Sequence, residues 1–255
     1  MTDDKIPQAP YQGLAPIYDY VMRHVDYEEW VDYVHSLIER LAPDTEQVAD
    51  LACGTGNMSL ELKRLGYEVT GVDLSEAMLR VANGKADSEA GMEFVQRDLR
   101  ELEGLGPFDA VVCMYDSFNY MLEAEDLDEA LASIASIIRP GGLFVFDVCT
   151  QRNSLRYFRD MRDKETGPGF SYERYSVYDP ATRLQSNHFQ IHYEEGDVVL
   201  EETHVQRIYP VATIVKRVKA SVFDLLDAFD GFTLNEGTED SDRIHFVLRA
   251  PTPEN

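Results

Sequence analysis

The spacing of apolar residues changes several times along the chain, and each change marks an element. Residues 1–10 hold two prolines and no period, so a loose tail is expected there. From Tyr11 to His24, Leu14, Ile17, Tyr18 and Val21 fall near one face of a helix. Tyr27–Leu41 repeats the helical period through Trp30, Val34, Leu37, Ile38 and Leu41, and Pro43-Asp44 ends it. Short apolar runs then alternate with amphipathic stretches. Val48–Cys53, Glu68–Val72, Glu93–Gln96, Phe108–Cys113 and Leu143–Val148 read as strands. Met58–Leu65, a segment ending at Asn83 with Ser75 as its N-cap, and Asp126–Ile138, stopped by Pro140-Gly141-Gly142, read as helices. Strands separated by helices imply a parallel sheet with right-handed crossovers, covered on both faces.

After Cys149 the texture changes. Phe170–Tyr178, Arg183–Tyr193 and Val198–Tyr209 alternate as a β-ribbon, with Asp179-Pro180 and Glu195-Gly196-Asp197 as turns. Arg152–Lys164 reads as a helix or ordered loop before it. Val211–Lys219 returns to a helix, and Phe223–Phe229 and Arg243–Leu248 to strands that could pair as a hairpin at one edge of the sheet. The block 151–210 is thus an insertion into a single α/β domain spanning 1–255, expected to be a lid or a contact with a second copy.

Composition narrows the partners. Asp and Glu number 47 against 23 Lys and Arg, a formal charge of −24. That field repels phosphate backbones and anionic lipid, which argues against nucleic acid and membrane as partners. A solubilising surface explains the charge; adaptation to a salt-rich cytoplasm is a sharper alternative. No run approaches the length of a membrane span, and the acidic N-terminus is no secretory signal. Cys53, Cys113 and Cys149 form no C-x-x-C pair, so small buried thiols in a reducing cytoplasm are expected, with no metal.

The candidate chemistry begins at Cys53-Gly54-Thr55-Gly56-Asn57, a glycine turn between a strand and a helix where a ligand can lie against bare backbone. Asp73, nineteen residues after Gly54, ends the second strand and could accept both hydroxyls of a ribose. A nicotinamide site would place a third glycine where this chain has Ser59. As simple turn chemistry, Asp73 would only cap the following helix, and Met78 would be core.

Four stretches resemble the motifs of class I S-adenosylmethionine-dependent methyltransferases: Asp50-Leu51-Ala52-Cys53-Gly54-Thr55-Gly56, Val72–Met78, Gln96-Arg97-Asp98-Leu99, and Arg139-Pro140-Gly141-Gly142 with Leu143–Asp147. The resemblance implies a Rossmann-like, seven-stranded, mostly parallel sheet with helices on both faces and an antiparallel last strand, plus the small antiparallel β insertion. It implies S-adenosylmethionine as cofactor. The backbone at Ala52, Gly54, Gly56 and Asn57 would then pack near its methionine end, with Asp50 supporting the turn or the ammonium. Asp73 and Leu74 would lie at the ribose, Met78 beside the adenine, and Asp98 with the Leu99 amide at its edge. Met114 and Tyr11 complete the expected cofactor set.

Ligands in such sheets bind beyond the carboxyl ends of the strands, so Met114–Tyr120 should face the methyl group. The segment lacks the Asn/Asp-Pro-Pro-Tyr/Phe pattern that resemblance associates with methylation of nucleic-acid amines, which favours a small-molecule acceptor. Asp116-Ser117-x-Asn119-Tyr120 and Tyr11…Tyr18-Asp19 are similar to a bacterial subgroup that also resembles amino-sugar and glycine N-methyltransferases. A nitrogen acceptor is therefore expected, with oxygen and sulfur as alternatives. Asp116 would orient the acceptor and take its proton; Tyr18 and Tyr11 would close over the sulfonium, within N-terminal helices over 11–42 that cover the pocket. Tyr115, Asn119, His204 and Arg207 are the candidate acceptor contacts. A non-catalytic cofactor-binding partner or sensor, and a nicotinamide oxidoreductase, remain alternatives.

Overall fold

The computed structural model describes residues 5–86 and 92–252. Residues 1–4 of the expected tail lie outside them. Ile6–Gln8 form a short strand, β1, that pairs parallel with Leu200–Glu202, which corrects the expectation of a loose tail over 1–10. The expected helix Tyr11–His24 is reduced to a 3-10 turn, Ala15–Ile17, and one α-helical turn, α1 (Tyr18–Val21). Tyr11 has φ +64° and Pro16 stands at the head of the turn, so the chain before Ala15 does not wind as a helix.

The helix α2 (Tyr27–Leu41) has the expected bounds. Asp26 caps it, accepting the Glu29 amide at 3.1 Å, and Trp30, Val31, Val34, Leu37 and Ile38 are buried. The alternating elements follow: β2 (Gln47–Leu51), α3 (Asn57–Arg64), β3 (Glu68–Asp73), α4 (Glu76–Ala86), β4 (Glu93–Gln96), β5 (Phe108–Cys113) and α5 (Ala124–Ile137). The next strand, β6 (Ile138–Cys149), begins earlier than expected. Pro140-Gly141-Gly142 lies inside it because the backbone of Ala250 bonds Gly141 and Gly142 at 3.1 and 2.9 Å.

The stretch 152–164 is part helix and part strand. A turn, α6 (Gln151–Asn153), runs into a wider one at Ser154–Phe158, and β7 (Asp160–Gly167) opens the ribbon. Polar residues on both sides of β7 hid its strand period. Then come β8 (Phe170–Asp179), β9 (Leu184–Tyr193), β10 (Val198–Arg207), α7 (Val211–Ala220), β11 (Asp224–Asp230) and β12 (Arg243–Arg249).

The main sheet has the order β11-β12-β6-β5-β2-β3-β4. β2 to β6 run parallel, and β12 is antiparallel to both β6 and β11, as the fold expectation requires. Successive side chains point to opposite faces, so one strand feeds two cores. Val111 and Cys113 pack with Phe144, Phe146, Phe246 and α5, whereas Ala110 and Val112 pack with Val145, Val247 and α2.

The second sheet, β1-β10-β9-β8-β7, is larger than the ribbon expected, because the N-terminus supplies its edge. On its inner face Tyr172, Phe189 and Ile191 pack against Leu14, Ile17 and Val21. The N-terminal segment is thereby clamped between the second sheet and the carboxyl ends of the first.

Candidate active site

A cavity of about 1290 Å³ opens where the parallel strands end. Ala52, Asp73, Gln96, Met114 and Cys149 line it from the ends of β2 to β6, and Arg174, Gln185, Asn187, His204 and Gln206 line it from the second sheet. Tyr11 and Tyr18 of the N-terminal segment line it too.

The turn after β2 owes its shape to left-handed backbone at Ala52 (φ +54°), Gly54 (+56°) and Gly56 (+78°). A Cβ on Gly56 would sit 2.9 Å from Phe94 Cζ, so the aromatic ring of β4 requires glycine there. Asp73 fastens the turn: one carboxylate oxygen accepts the Gly54 amide and the other the Ser75 amide, both at 2.8 Å. Each oxygen keeps a lone pair for a further donor. Burial pushes the Asp73 pKa up, and these amides oppose the shift.

Beneath the turn, Asp50 is buried and accepts the Ser59 hydroxyl at 2.5 Å. Ser59 occupies the position of a third glycine, and this bond is what its side chain does there. Burial raises the Asp50 pKa to about 7. Asp50 lines a small side chamber with Tyr18, Trp30, Gly54, Asn57 and Tyr115. Asn57 is also a clasp: it donates to Asp19 at 3.0 Å and accepts from Lys85 at 2.5 Å, while Thr55 donates to Asp19 at 2.6 Å.

At the far end of the cavity, Leu74 is 63% exposed, whereas Met78 and Leu99 are buried. Asp98 accepts from Arg100 Nε and Nη2 at 2.9 and 2.7 Å, which holds its carboxyl below the usual range.

Just beyond β5, after Met114, come two left-handed residues, Tyr115 (φ +65°) and Asp116 (+53°), which turn the Asp116 side chain into the cavity. Arg243 Nη2 donates to Asp116 Oδ1 at 2.9 Å and Gln206 Nε2 to Oδ2 at 2.6 Å. The same guanidinium donates to Asp147, and its carbon lies 4.9 Å above the Trp30 ring and 5.2 Å above Tyr115. Burial pushes the pKa of Asp116 up and Arg243 opposes the shift. Asp116 occupies the cap position of the turn Ser117–Tyr120, yet its side chain does not cap it.

Two of the expected acceptor contacts are corrected. Asn119 is buried away from the cavity; it donates to the Arg207 carbonyl at 2.9 Å and accepts the Cys149 amide at 2.9 Å. Arg207 bonds the Leu122 and Thr182 carbonyls. His204 faces the cavity, and residues an odd number of positions apart on a strand point to opposite faces, so Arg207 cannot share that face. Gln206 does.

His204 belongs to a buried chain of polar groups. Its Nε2 donates to Glu202 at 3.1 Å, its Nδ1 lies 3.3 Å from the Tyr120 hydroxyl, and Tyr120 shares a 2.6 Å hydrogen bond with the Tyr11 hydroxyl. Glu202 also accepts the amides of Tyr11 at 2.8 Å, Gly13, and Leu14 at 2.9 Å. Burial pushes the pKa of Tyr11, Tyr18 and Tyr120 up, so all three are neutral phenols at pH 7.

Glu202, Gln206 and Arg243 were not singled out from the sequence. Polar residues recurring at the strand period at 202, 204 and 206 were the available signal for the first two. Arg243 gave none, because its partners come from β5 and β6. The three cysteines are free, and burial raises the pKa of each. No helix among the described residues is long and apolar enough to cross a membrane, and these residues contain no group of three His, Cys, Asp or Glu placed to hold a metal ion.

Comparison with known proteins bears on this arrangement. A family described as methyltransferase domain matches residues 48–142. YqeM of Bacillus subtilis (strain 168), a methyltransferase by provisional assignment, is 34% identical over 92% of this chain and 95% of its own. An N,N-dimethyltransferase of dTDP-3-amino-3,4,6-trideoxy-alpha-D-glucopyranose from Streptomyces venezuelae is 33% identical over 52% of this chain and 56% of its own. Among solved structures, an S-adenosylmethionine-dependent methyltransferase from Clostridium acetobutylicum superposes with TM-score 0.79 and 25% identity, covering 94% of this chain and 99% of that one.

Proposed function

The chain belongs to the class I S-adenosylmethionine-dependent methyltransferases, and we propose that it methylates the nitrogen of a small-molecule amine by in-line displacement. The bound cofactor supplies a methyl group activated on a sulfonium; the residues of this chain bind, align and exclude water. In this reading Asp73 accepts the ribose hydroxyls with its free lone pairs. Asp98 and the Leu99 amide meet the adenine edge, between Leu74 and Met78. The backbone at Ala52, Gly54 and Gly56 faces the methionine end, and Asp50 and Asn57, across the side chamber, face its ammonium. Met114 supports the sulfonium from below, while Tyr11 and Tyr18 turn neutral hydroxyls or ring faces toward it. The second sheet forms the wall and lid of the acceptor site.

The observation that carries the nitrogen assignment is Asp116, a partly buried carboxylate just beyond β5 held by Arg243 and Gln206 and open to the cavity. It accepts a hydrogen bond from an amine, aims the lone pair at the methyl group, and takes up the proton released. The relative acting on an amino sugar supports the same class. The test is release of S-adenosylhomocysteine with panels of amines, thiols and alcohols. Amines are expected to turn over, and Asp116→Asn to lower kcat by about 100-fold with cofactor affinity unchanged. Turnover confined to thiols or alcohols would refute the nitrogen assignment. Tight cofactor binding with no turnover would favour a binding partner or sensor.

A further inference from the structure

We propose that the cavity contains a second, anionic subsite centred on Arg174, which binds a negatively charged oxygen group of the methyl acceptor. The inference rests on the methyltransferase reading and specifies the acceptor that reading leaves open.

Arg174 projects from β8 into the cavity. The protein carries 47 acidic residues, yet no carboxylate forms an ion pair with Arg174 among the described residues. Its cross-strand neighbour is Asp163, whose carboxylate instead accepts the Tyr172 hydroxyl at 3.0 Å. Arg174 Nη2 donates to Asn187 Oδ1 at 2.8 Å, and that oxygen also accepts the Ser176 hydroxyl at 2.6 Å. The guanidinium carbon lies 5.4 and 5.3 Å from the rings of Phe158 and Phe189. Its Nε is enclosed and has no partner in the protein.

A guanidinium has five donors in a fixed plane and is always charged, so an enclosed cation with unfilled donors lacks an anion. The aromatic flanks fix the plane and lower the local dielectric, which strengthens a charge-assisted bond to an oxyanion. Gln185 and Asn153 line the same cavity. Asp116 and Arg174 thus present opposite charges within one cavity, which fits an acceptor with an amine at one position and a carboxylate or phosphate at another.

The probes are acetate and phosphate, added to the protein saturated with S-adenosylhomocysteine, with chloride at equal ionic strength as reference. Either oxyanion is expected to raise the melting temperature above the chloride value in the native protein, and which one does so tells a carboxylate from a phosphate. The increment is expected to vanish in Arg174→Met and to persist in part in Arg174→Lys, with S-adenosylhomocysteine affinity unchanged in both. In turnover, Arg174→Met should raise KM for an anionic amine by about 10- to 100-fold and leave a neutral amine unaffected. Oxyanions no better than chloride, or equally effective on Arg174→Met, would overturn the subsite while leaving the methyltransferase reading intact. Failure to bind S-adenosylhomocysteine at all would instead strike that reading.

Discussion

Replacing Glu202 with glutamine isolates what ties the N-terminal segment to the catalytic cavity. Its carboxylate accepts amides from Tyr11, Gly13 and Leu14 and the imidazole of His204. The oxygen serving Gly13 and Leu14 survives in Glu202→Gln, but the one serving Tyr11 and His204 becomes an NH2 facing two donors. Hydrogen bonds to a charged group contribute about 1.5–3 kcal/mol each, so losing two costs about 3–6 kcal/mol. That is a large part of the ~5–15 kcal/mol that holds a domain of ordinary stability. The loss falls on residues 5–24, where Tyr11 and Tyr18 cover the cavity. Urea denaturation should therefore show a lower midpoint, brief proteolysis should cut near the N-terminus, and S-adenosylhomocysteine affinity should fall at least about tenfold. A shift below about 1 kcal/mol with unchanged affinity would refute the clamp.

Three further outcomes are expected. Asp73→Ala removes the acceptor of two backbone amides as well as the proposed ribose contact, and should weaken S-adenosylhomocysteine binding by about 100-fold in a calorimetric titration. Burial raises the Asp50 pKa to about 7 in the folded state, against about 3.9 in an unfolded chain. The folded protein therefore binds the proton more tightly, and the stability this group confers is fully present below about pH 4 and lost as pH rises to 7, by up to about 4 kcal/mol. Subtracting the pH profile of Asp50→Asn from that of the native protein should expose this slope; parallel profiles would contradict it. Arg207→Ala should leave acceptor KM unchanged, because the side chain points away from the cavity, while lowering stability by about 1–2 kcal/mol through its lost carbonyl contacts.

The sequence by itself determined what depends on near neighbours. The apolar period placed α2 and the strands β2 to β5 within a residue or two, because burial on one or both faces writes directly into the spacing. The glycine turn and Asp73 were legible for a like reason, because short strand–turn–helix units fix their geometry, whereas Asp98 was read from the resemblance of Gln96–Leu99 to a family motif. The tertiary structure decided whatever lies between distant segments. Tyr11–His24 has a helical period, yet the carboxylate of Glu202, some 190 residues away, captures its amides and leaves two short turns. Gln206 and not Arg207 enters the cavity beside His204, because strand parity and the register of β10 against β9, not charge, decide which side chains face it. Arg243 was invisible for a related cause. Its role arises from the antiparallel register that sets it opposite Cys149, beside Asp147 and Asp116, and no local pattern encodes a pairing between strands a hundred residues apart.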